Sequence, residues 1–407
     1  MRAPAPDHLP AMATEAAAEA ASGAASGAAA IAGRHADSVD REARFPAEAF
    51  AALRDARLLG LTVPRAFGGG GGGLADAAAV AHALAQKCPS TGLIYAMHQI
   101  RVSCLVRHGQ GSDWHRGFLE RLAGEQLLLA SATTEAGIGG DVRSSACAVA
   151  SAAEDETGGA FRLEKQATVI SYGQEADAIL VTARRTADSP PSDQVVVPVL
   201  RGQTQLEEIG GWDTLGMRGT CSIGYRLVAE AERAQILPLP YADISARTML
   251  PVTHILWSSV WLGIATDAVA RAAAFIRAEA RKRPGTPPPG ARRLAEATAG
   301  LQAMRGMVRG ALVRFEEAAD DPDRLTSLGF AVAMNTLKTE AADMVVRIVG
   351  QAMLAGGLAA YRNDSPYSLC RHLRDAHSAP LMINNDRILG NTANLLLAHR
   401  DNGSLFG

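Results

Sequence analysis

Hydrophobic residues recur every three to four positions along most of this chain, and one central region breaks the pattern. Helical spacing dominates to about residue 126, as at Phe50 and Leu53, and it returns near residue 255. Four long segments with an apolar stripe then follow, at about 253–281, 291–319, 327–354 and 375–397. Four consecutive long helices predict a helical bundle at the C-terminal end of the chain.

The central region has a shorter hydrophobic period. Short β-branched or alternating runs, bounded by polar turns, lie at about 147–153, 161–166, 178–183 and 194–200. Such runs predict an antiparallel sheet or barrel. The fold class is therefore α+β, with several domains. The predicted units are a poorly ordered or loosely packed segment at 1–33, a helical domain at 34–126, a β domain at 127–237 and the bundle at 238–407.

Composition and charge narrow the class of protein. The net charge is −2 and no basic stripe appears, which argues against a nucleic-acid partner. The five cysteines lack metal-ligand spacing, which favours reduced thiols and no metal site. No apolar run approaches the roughly 20 residues that span a bilayer, and the acidic start is unlike a signal peptide. We therefore expect a cytoplasmic protein without a membrane span.

A glycine-rich stretch follows the first predicted strand, at residues 127–142, and reads LLLASATTEAGIGGDV. Hydroxyl side chains at a strand end, followed by glycines, let the backbone approach a flat ligand with polar edges, because no side chain beyond Cα intervenes. Such turns are also common as plain structure, so the weight of this one depends on the motifs that follow it. The cofactor-binding residues predicted here are Ser131, Thr133, Thr134, Gly139 and Gly140.

Two further polar turns follow inside the β domain. Residues 167–173 read ATVISYG, and residues 211–222 read GWDTLGMRGTCS. The second turn sets Arg218 between glycines and hydroxyls. A guanidinium presents a planar fork of five donors, so it can either hold a ligand or tie the loop to the sheet. By itself the first of these turns is typical of an ordinary hairpin.

These three stretches resemble, in the same order, three signatures of the acyl-CoA dehydrogenase superfamily. The signatures are T-E-P-G-A-G-S-D, K-x-(W/F)-(I/V)-(T/S)-x-G and G-x-x-x-x-G-x-R-x-(T/S)-x-S. The R-D-A sequence at residues 374–376 is a fourth match, and the order of helices, β unit and bundle is similar to the family layout. The resemblance covers about residues 34–400. It implies the acyl-CoA dehydrogenase fold and an FAD cofactor.

The resemblance also implies roles for single residues. Ile170 and Ser171 are implied to bind the cofactor, because Ser171 takes the position of the hydroxyl that approaches the N5/O4 edge of the flavin, and Arg218 is implied to bind substrate. Arg281 takes the position of an arginine that pairs with the FAD pyrophosphate across a subunit interface. The residues implied for the adenosine half are Gln351, Gly356 and Gly357. We expect a homodimer or homotetramer, because the segment 375–397 is more apolar than one core requires.

The sequence departs from the family at the catalytic base. Common members carry a glutamate eight residues beyond the aspartate of R-D-A; here that position is Ile383, which we assign to substrate binding. Isovaleryl-type members place the glutamate on the first bundle helix, near Thr253 here. The candidate catalytic residues are Asp386, His98 and His254. The competing interpretations are a helix cap or surface residue for Asp386, and a core histidine for the other two.

Three further departures affect the ligands. Ala167 stands where the family has lysine, Val169 replaces an aromatic residue that shields the flavin ring, and Gly140 replaces a serine that bonds the thioester arm. A CoA substrate is therefore less firmly implied than FAD.

Three functions remain open at this point. The first is α,β-dehydrogenation of an acyl thioester, on CoA or a carrier protein, with hydride transfer to FAD N5 and an electron-transfer partner. The second is a two-component flavin monooxygenase of the same fold, similar to the dibenzothiophene and 4-hydroxyphenylacetate hydroxylases. That class takes reduced flavin from a separate reductase and needs no carboxylate base. The third is a non-catalytic flavin-binding homologue.

Overall fold

The computed structural model describes residues 15–137, 142–151 and 159–400. Helices form the N-terminal domain: α1 (Glu15–Glu42), α2 (Ala47–Asp55), α3 (Leu74–Ala85), α4 (Pro89–His108) and α5 (Asp113–Glu125). Nearly all of α4 is buried, because apolar residues surround it on every face. This helix is the central element of the domain and leads, through α5, to the first strand.

The start of α1 differs from the sequence prediction. Residues 15–33, which we expected to be loosely packed, form the first part of this helix, so the boundary at residue 33 falls inside a continuous element. The alanines that are buried along α1 are Ala25, Ala28, Ala29, Ala32 and Ala36. Their three- and four-residue spacing makes a face of small side chains, which lets the helix pack closely on its neighbours. Residues 1–14 lie outside the described residues.

Two sheets make up the central domain. Its strands are β1 (Leu129–Ala132), β2 (Ala150–Ser151), β3 (Ala160–Ile170), β4 (Ala178–Arg184), β5 (Gln194–Leu200), β6 (Thr204–Glu208) and β7 (Ile223–Glu232). One sheet has the order β1-β4-β5 and the other β2-β3-β7-β6. All pairs are antiparallel except β1 with β4, which are parallel. A parallel pair is feasible because β2 and β3 lie between these strands in sequence and supply the long crossover.

The C-terminal domain is the predicted helical bundle. Its elements are α6 (Tyr241–Ile244), α7 (Leu250–Lys282), α8 (Ala291–Ala318), α9 (Pro322–Thr326), α10 (Leu328–Gly356), α11 (Leu358–Tyr361), α12 (Cys370–Ala376) and α13 (Asn385–Leu396). A π-helical turn, Ser245–Met249, joins α6 to α7. The α+β fold with three domains is thus confirmed. The predicted helix at 375–397 is divided, because Pro380 lacks the N–H that a continuous helix needs there.

One hydrophobic core runs through all three domains, and α7 lies at its centre. Trp261 on α7 is fully buried and packs beside Trp257, with ring centroids 6.3 Å apart. Within the described ranges, the helical stretch Tyr241–Lys282 is the one segment whose length and composition would allow it to cross a membrane, and 61% of its most apolar window is buried inside the fold. A buried core helix can have the same length and apolar composition as a membrane-spanning helix.

Candidate functional site

The second and third motifs meet in a chain of hydroxyl groups. Ser171, at the end of β3, lies 2.8 Å from Ser222 between their Oγ atoms, and the Ser222 Oγ lies 2.8 Å from the Thr220 Oγ1. The antiparallel pairing of β3 with β7 brings these turns together, with a register shift between Ala167 and Ile170. The main-chain N–H of Tyr172 also donates to the Thr220 carbonyl at 2.9 Å. Two motifs about 50 residues apart in sequence therefore form one rigid unit.

The first motif joins this unit through Thr134. Its hydroxyl donates to the Val169 carbonyl at 3.0 Å and accepts from the Val169 N–H at 3.2 Å. The Thr134 hydroxyl is therefore already engaged by the backbone, and its geometry favours a role in holding the strand end. Thr133 and Ser131 are half-buried beside it. Gly139 and Gly140 lie outside the described residues.

Arg101 on α4 is a functional candidate that the sequence analysis did not single out. Its Nη2 donates to the Ser131 Oγ at 2.6 Å, and the side chain is almost fully buried, with 7% of the residue exposed. Within the described ranges its Nε has no hydrogen-bond partner, and no carboxylate forms an ion pair with it. A buried guanidinium without an anion is costly, so an anionic ligand would complete this site. The available sequence signal was a charged residue in the middle of a largely apolar helix.

Arg218 ties the third motif to the N-terminal domain. Its Nε donates to the Asp40 carbonyl on α1 at 2.8 Å, and its Nη1 donates to the Thr214 carbonyl at 2.9 Å and to Asp213 Oδ1 at 2.8 Å. These bonds occupy the Nε and Nη1 donors of the guanidinium. The geometry therefore favours the interpretation in which Arg218 fixes the loop, while its exposed edge lines the cleft described below.

The R-D-A sequence packs against the same loop. Asp375 is buried and accepts from the Met217 N–H at 2.6 Å, while Arg374 pairs with Asp40 and donates to the Leu215 carbonyl at 3.1 Å. Burial raises the pKa of Asp375 to about 6. Gly216 lies so close to the Arg374 backbone that a Cβ would clash with it. The motifs are thus connected from Ser171 through the 217–222 turn to α12.

Ile383 lies in a strained loop that a buried lysine fixes. Its φ is +48°, a conformation that costs a β-branched residue about 1–3 kcal/mol. Lys338 donates to the carbonyls of Ala379 at 3.3 Å and Ile383 at 2.7 Å, and to Asn385 Oδ1 at 2.6 Å. Burial lowers the pKa of Lys338 to about 8. The break between α12 and α13 is therefore a built feature, with its free carbonyls satisfied by an ammonium group.

The three candidate bases lie on three different helices. Asp386 is exposed in the first turn of α13, where its N–H donates to Asn384 Oδ1 at 2.8 Å. The geometry therefore favours its interpretation as a helix-start residue.

Both histidines are buried in the core. His98 Nε2 lies 2.8 Å from the Leu59 carbonyl and its Nδ1 accepts from the Leu129 N–H at 3.1 Å, so both ring nitrogens are occupied. His254 Nδ1 lies 2.9 Å from the Met334 carbonyl. Burial lowers the pKa of each to about 4. These contacts favour a role as neutral core histidines.

The residues expected to hold the adenosine half of FAD lie at one end of the bundle. Arg281 is exposed in the last turn of α7, and Gln351 on α10 accepts from Arg293 at 3.2 Å. Gly357 has a φ of +53° and follows the last residue of α10, Gly356. The neighbouring exposed apolar side chains are Leu354, Leu358 and Tyr361. This end of the bundle could therefore accept a ligand or a second copy of the chain.

Comparisons with known proteins agree with this architecture. The family models for the acyl-CoA dehydrogenase N-terminal and C-terminal domains match residues 14–126 and 255–384. Amino sugar nitrososynthase DnmZ of Streptomyces peucetius is 28% identical over 359 residues, which cover 84% of each chain.

Two solved structures share the fold along almost the whole chain. FMN-bound TdsC from Paenibacillus sp. A11-2 has a TM-score of 0.79 and 20% identity, and it covers 97% of this chain and 100% of its own. KijD3 in complex with FMN and dTDP-3-amino-2,3,6-trideoxy-4-keto-3-methyl-D-glucose has a TM-score of 0.77 and 21% identity. The match covers 96% of this chain and 97% of KijD3. Both of these solved structures contain FMN. By its two domain matches and its fold, this chain belongs to the acyl-CoA dehydrogenase superfamily.

Proposed function

We propose that this chain is a flavin-dependent monooxygenase that receives reduced flavin from a separate reductase and oxygenates the nitrogen of an amine. The observation that carries the proposal is the nature of the two base positions. Ile383 has no proton-accepting group, and the Thr253 hydroxyl on α7 is buried and donates to the Met249 carbonyl at 2.5 Å. The similarity to an amino sugar nitrososynthase supports the amine as substrate.

The missing base weighs against acyl-thioester dehydrogenation. That reaction removes a proton from the substrate Cα, and general-base help is typically worth about 10²–10⁴ in rate. Asp386 is exposed, and both ring nitrogens of His98 are engaged, so neither offers a free acceptor in a buried pocket. His254 is packed in the core, with its Nδ1 bound to the Met334 carbonyl. Oxygenation of an amine needs no such step, because the nitrogen lone pair is itself the nucleophile.

The hydroxyl chain suits a reduced flavin. The Thr220 hydroxyl donates to the Met217 carbonyl at 2.9 Å, which uses its one proton. Ser222 must then donate to Thr220, and Ser171 to Ser222, since each hydroxyl has a single proton. The Ser171 oxygen is left as an acceptor. At the flavin position that the family resemblance gives to Ser171, it would accept the N5–H that only the reduced ring carries.

Arg101 and Ser131 would also hold the flavin. The orphaned Nε of Arg101 and the half-buried hydroxyl of Ser131 fit an anionic, polar-edged group. When bound, reduced flavin would supply the two electrons for the reaction of the amine with O2, in which one oxygen atom passes to the amine nitrogen, the other leaves as water, and the flavin ends oxidised. Both FMN and FAD are compatible with this arrangement. FAD is the cofactor that the sequence predicts, and FMN is the flavin in TdsC and KijD3.

The test compares the two reactions in one preparation. The protein is supplied with FMN or FAD, NADH, a flavin reductase and a panel of primary amines that includes nucleotide-linked amino sugars, and hydroxylamine or nitroso products are measured by mass spectrometry. In parallel, oxidised flavin and the protein are mixed anaerobically with acyl-CoA thioesters. We expect oxygenated amine and no bleaching of the flavin absorbance. Bleaching by a thioester, without oxygenation of any amine, would establish the dehydrogenase instead.

Asp386→Asn is the internal control for this test. Under the proposal the variant oxygenates amines at the wild-type rate, because the exposed carboxylate takes no part in the reaction. A dehydrogenase that used Asp386 as its base would instead reduce flavin about 10²–10⁴ times more slowly after this change.

A further inference from the structure

A large cleft rich in positive charge lies beside the candidate flavin site. Its volume is about 810 Å³, and its walls are formed by α1, by Lys87 in the α3–α4 connection, and by the segment from Asn363 to Arg374. The arginine and lysine side chains that line it are Arg34, Arg41, Lys87, Arg218, Arg271, Arg371 and Arg374. The carboxylates in the lining are Asp37 and Asp40. We call this space the cationic cleft.

Some of these cations are held in place by the protein. Arg371 donates to Asp37 at 3.0 Å and to the Lys87 carbonyl at 3.0 Å. Arg271 donates to Asp267 at 2.6 Å. Because these side chains are already oriented, they would lose little conformational entropy when an anion binds.

Positive charge remains in excess after the internal pairs are formed. Asp213 and Asp267, outside the lining, neutralise Arg218 and Arg271. Arg34 and Lys87 are exposed, and within the described ranges the charged group of neither side chain has a hydrogen-bonding or ionic partner. The cleft therefore attracts an anion with more than one negative charge.

Two buried polar atoms in the cleft wall also lack partners. His372 is 2% exposed, its Nε2 lies 2.8 Å from Asp267 Oδ2, and within the described ranges its Nδ1 has no partner. The Arg371 Nε likewise has no hydrogen-bond partner within the described ranges. Burial works to raise the pKa of Asp267, but the hydrogen bonds and charges of His372 and Arg271 lower it to about 2. The ionised Asp267 fixes the proton on Nε2, so Nδ1 is an acceptor that would suit a ligand hydroxyl.

We propose that the cationic cleft binds the phosphate portion of a nucleotide, with His372 accepting a hydrogen bond from a neighbouring sugar hydroxyl. A diphosphate carries the charge that the arginines leave uncompensated, and arginine forks match phosphate oxygens in geometry. The inference deepens the proposed function and rests on it for the amine that the nucleotide carries. Phosphate chemistry alone fits two sources, a nucleotide-linked substrate and the flavin itself.

The position of the cleft favours the substrate as the source. Arg271 in its wall precedes Arg281 by ten residues on α7, which places the two about 15 Å apart along the helix. Arg281 is the residue expected to meet the flavin pyrophosphate. On its other side, the cleft borders the turn that carries Arg218, whose continuation holds the Thr220 and Ser222 hydroxyls. A ligand anchored in the cleft would thus lie beside the turn that supports the flavin site.

The test uses the double variant Arg34→Gln/Lys87→Gln, since neither side chain holds the fold together. Calorimetry measures the binding of inorganic pyrophosphate, of thymidine and uridine diphosphates, and of FMN, at low and high salt. Arg292→Gln is the control, because this exposed arginine on α8 lies outside the cleft. We expect nucleoside diphosphates to bind the wild type and the control. In the double variant their affinity should fall about tenfold per charge removed, while FMN binds all three proteins equally.

Two results would overturn the assignment. One is that no diphosphate binds the wild type up to about 10 mM, and the other is equal binding by the wild type and the double variant. A selective loss of FMN binding would support the phosphate site but transfer it to the flavin, against the substrate as source. None of these measurements needs reduced flavin or turnover. Failure of the oxygenation reaction therefore leaves the cleft assignment intact. Failure of diphosphate binding likewise leaves the proposed oxygenation untouched.

Discussion

Arg101 on α4 donates a 2.6 Å hydrogen bond to Ser131 at the end of β1, which sets a buried cation among the residues expected to hold the flavin. The pair joins the N-terminal helical domain to the β domain. Its guanidinium has no carboxylate partner within the described ranges, so its charge is available to a ligand. A reduced flavin that has lost its N1 proton is such a ligand, since its negative charge lies on the N1–C2=O edge.

We expect Arg101→Met to weaken binding of reduced flavin much more than binding of oxidised flavin, by about tenfold or more in the ratio, because only the reduced isoalloxazine ring carries a negative charge. The potential of the bound flavin should fall by about 30 mV for each factor of ten. Anaerobic titration of both flavin forms measures this effect. Arg101→Lys keeps the charge and should retain most of the preference. Equal weakening of both forms would exclude the charge as the cause.

Ser222→Ala should change which flavin form the site prefers. Removing the acceptor frees the Ser171 proton, so this hydroxyl can donate to the unprotonated N5 of oxidised flavin. One hydrogen bond is worth about 0.5–1.5 kcal/mol, which corresponds to roughly 2- to 12-fold in affinity. The ratio of dissociation constants for the two forms is the measurement. Thr186→Ala, which removes an exposed hydroxyl in the β4–β5 connection, is the control and should change nothing.

Arg281→Ala and Ser171→Ala should separate the two parts of the cofactor. If Arg281 pairs with the pyrophosphate, its loss weakens FAD more than FMN, since FMN lacks the second phosphate and the adenosine. Ser171→Ala acts at the ring and should weaken both flavins alike. Arg281→Ala should also loosen the expected dimer or tetramer, which light scattering detects. Equal loss of FAD and FMN in the arginine variant would remove its assignment to the pyrophosphate.

The ion pair between Glu135 and Lys165 should be important for stability. The two groups lie 3.3 Å apart with 5% and 0% of their side chains exposed, and Glu135 also accepts from the Cys147 N–H at 2.8 Å. Glu135→Gln leaves a buried ammonium without its partner, which typically costs about 3–5 kcal/mol. Urea unfolding measures this loss. Adding Lys165→Met should recover part of the lost free energy of unfolding, because the buried ammonium is then removed. As a control, Arg292→Gln breaks an exposed ion pair and should lower the free energy of unfolding by less than about 1 kcal/mol.

Stability should fall as the pH falls from about 6.5 to about 4. Burial lowers the pKa of His98 and His254 to about 4, from an ordinary value of 6.5. In that pH window the unfolded chain binds protons that the folded chain does not. Each histidine therefore lowers the free energy of unfolding by about 2 kcal/mol at pH 5 relative to pH 7. Unfolding free energies at the two pH values test this, and His98→Gln should reduce the difference by one histidine's share. Equal stability of the wild type at pH 5 and pH 7 would contradict the prediction.

The break in the last predicted helix illustrates what spacing alone cannot resolve. The apolar stripe from 375 to 397 has helical period, but α12 ends at Ala376 and the next helix, α13, begins at Asn385. The interruption depends on Pro380 and on Lys338, which is 41 residues before Ala379 and binds the carbonyls that the break exposes. Such a contact carries no local signal in sequence.

The three-domain order, the β unit between two helical parts and the motifs that indicate the family could all be predicted from the sequence, because periodicity and turn chemistry are local properties. The resemblance also predicts that Ile383 and Thr253 stand at the two base positions. Which polar groups are free could be read only from the folded structure. His98 is engaged by Leu59 and Leu129, whereas Arg101 is left with an orphaned Nε. The reason is physical: the availability of a buried group depends on partners that the fold brings from distant parts of the chain.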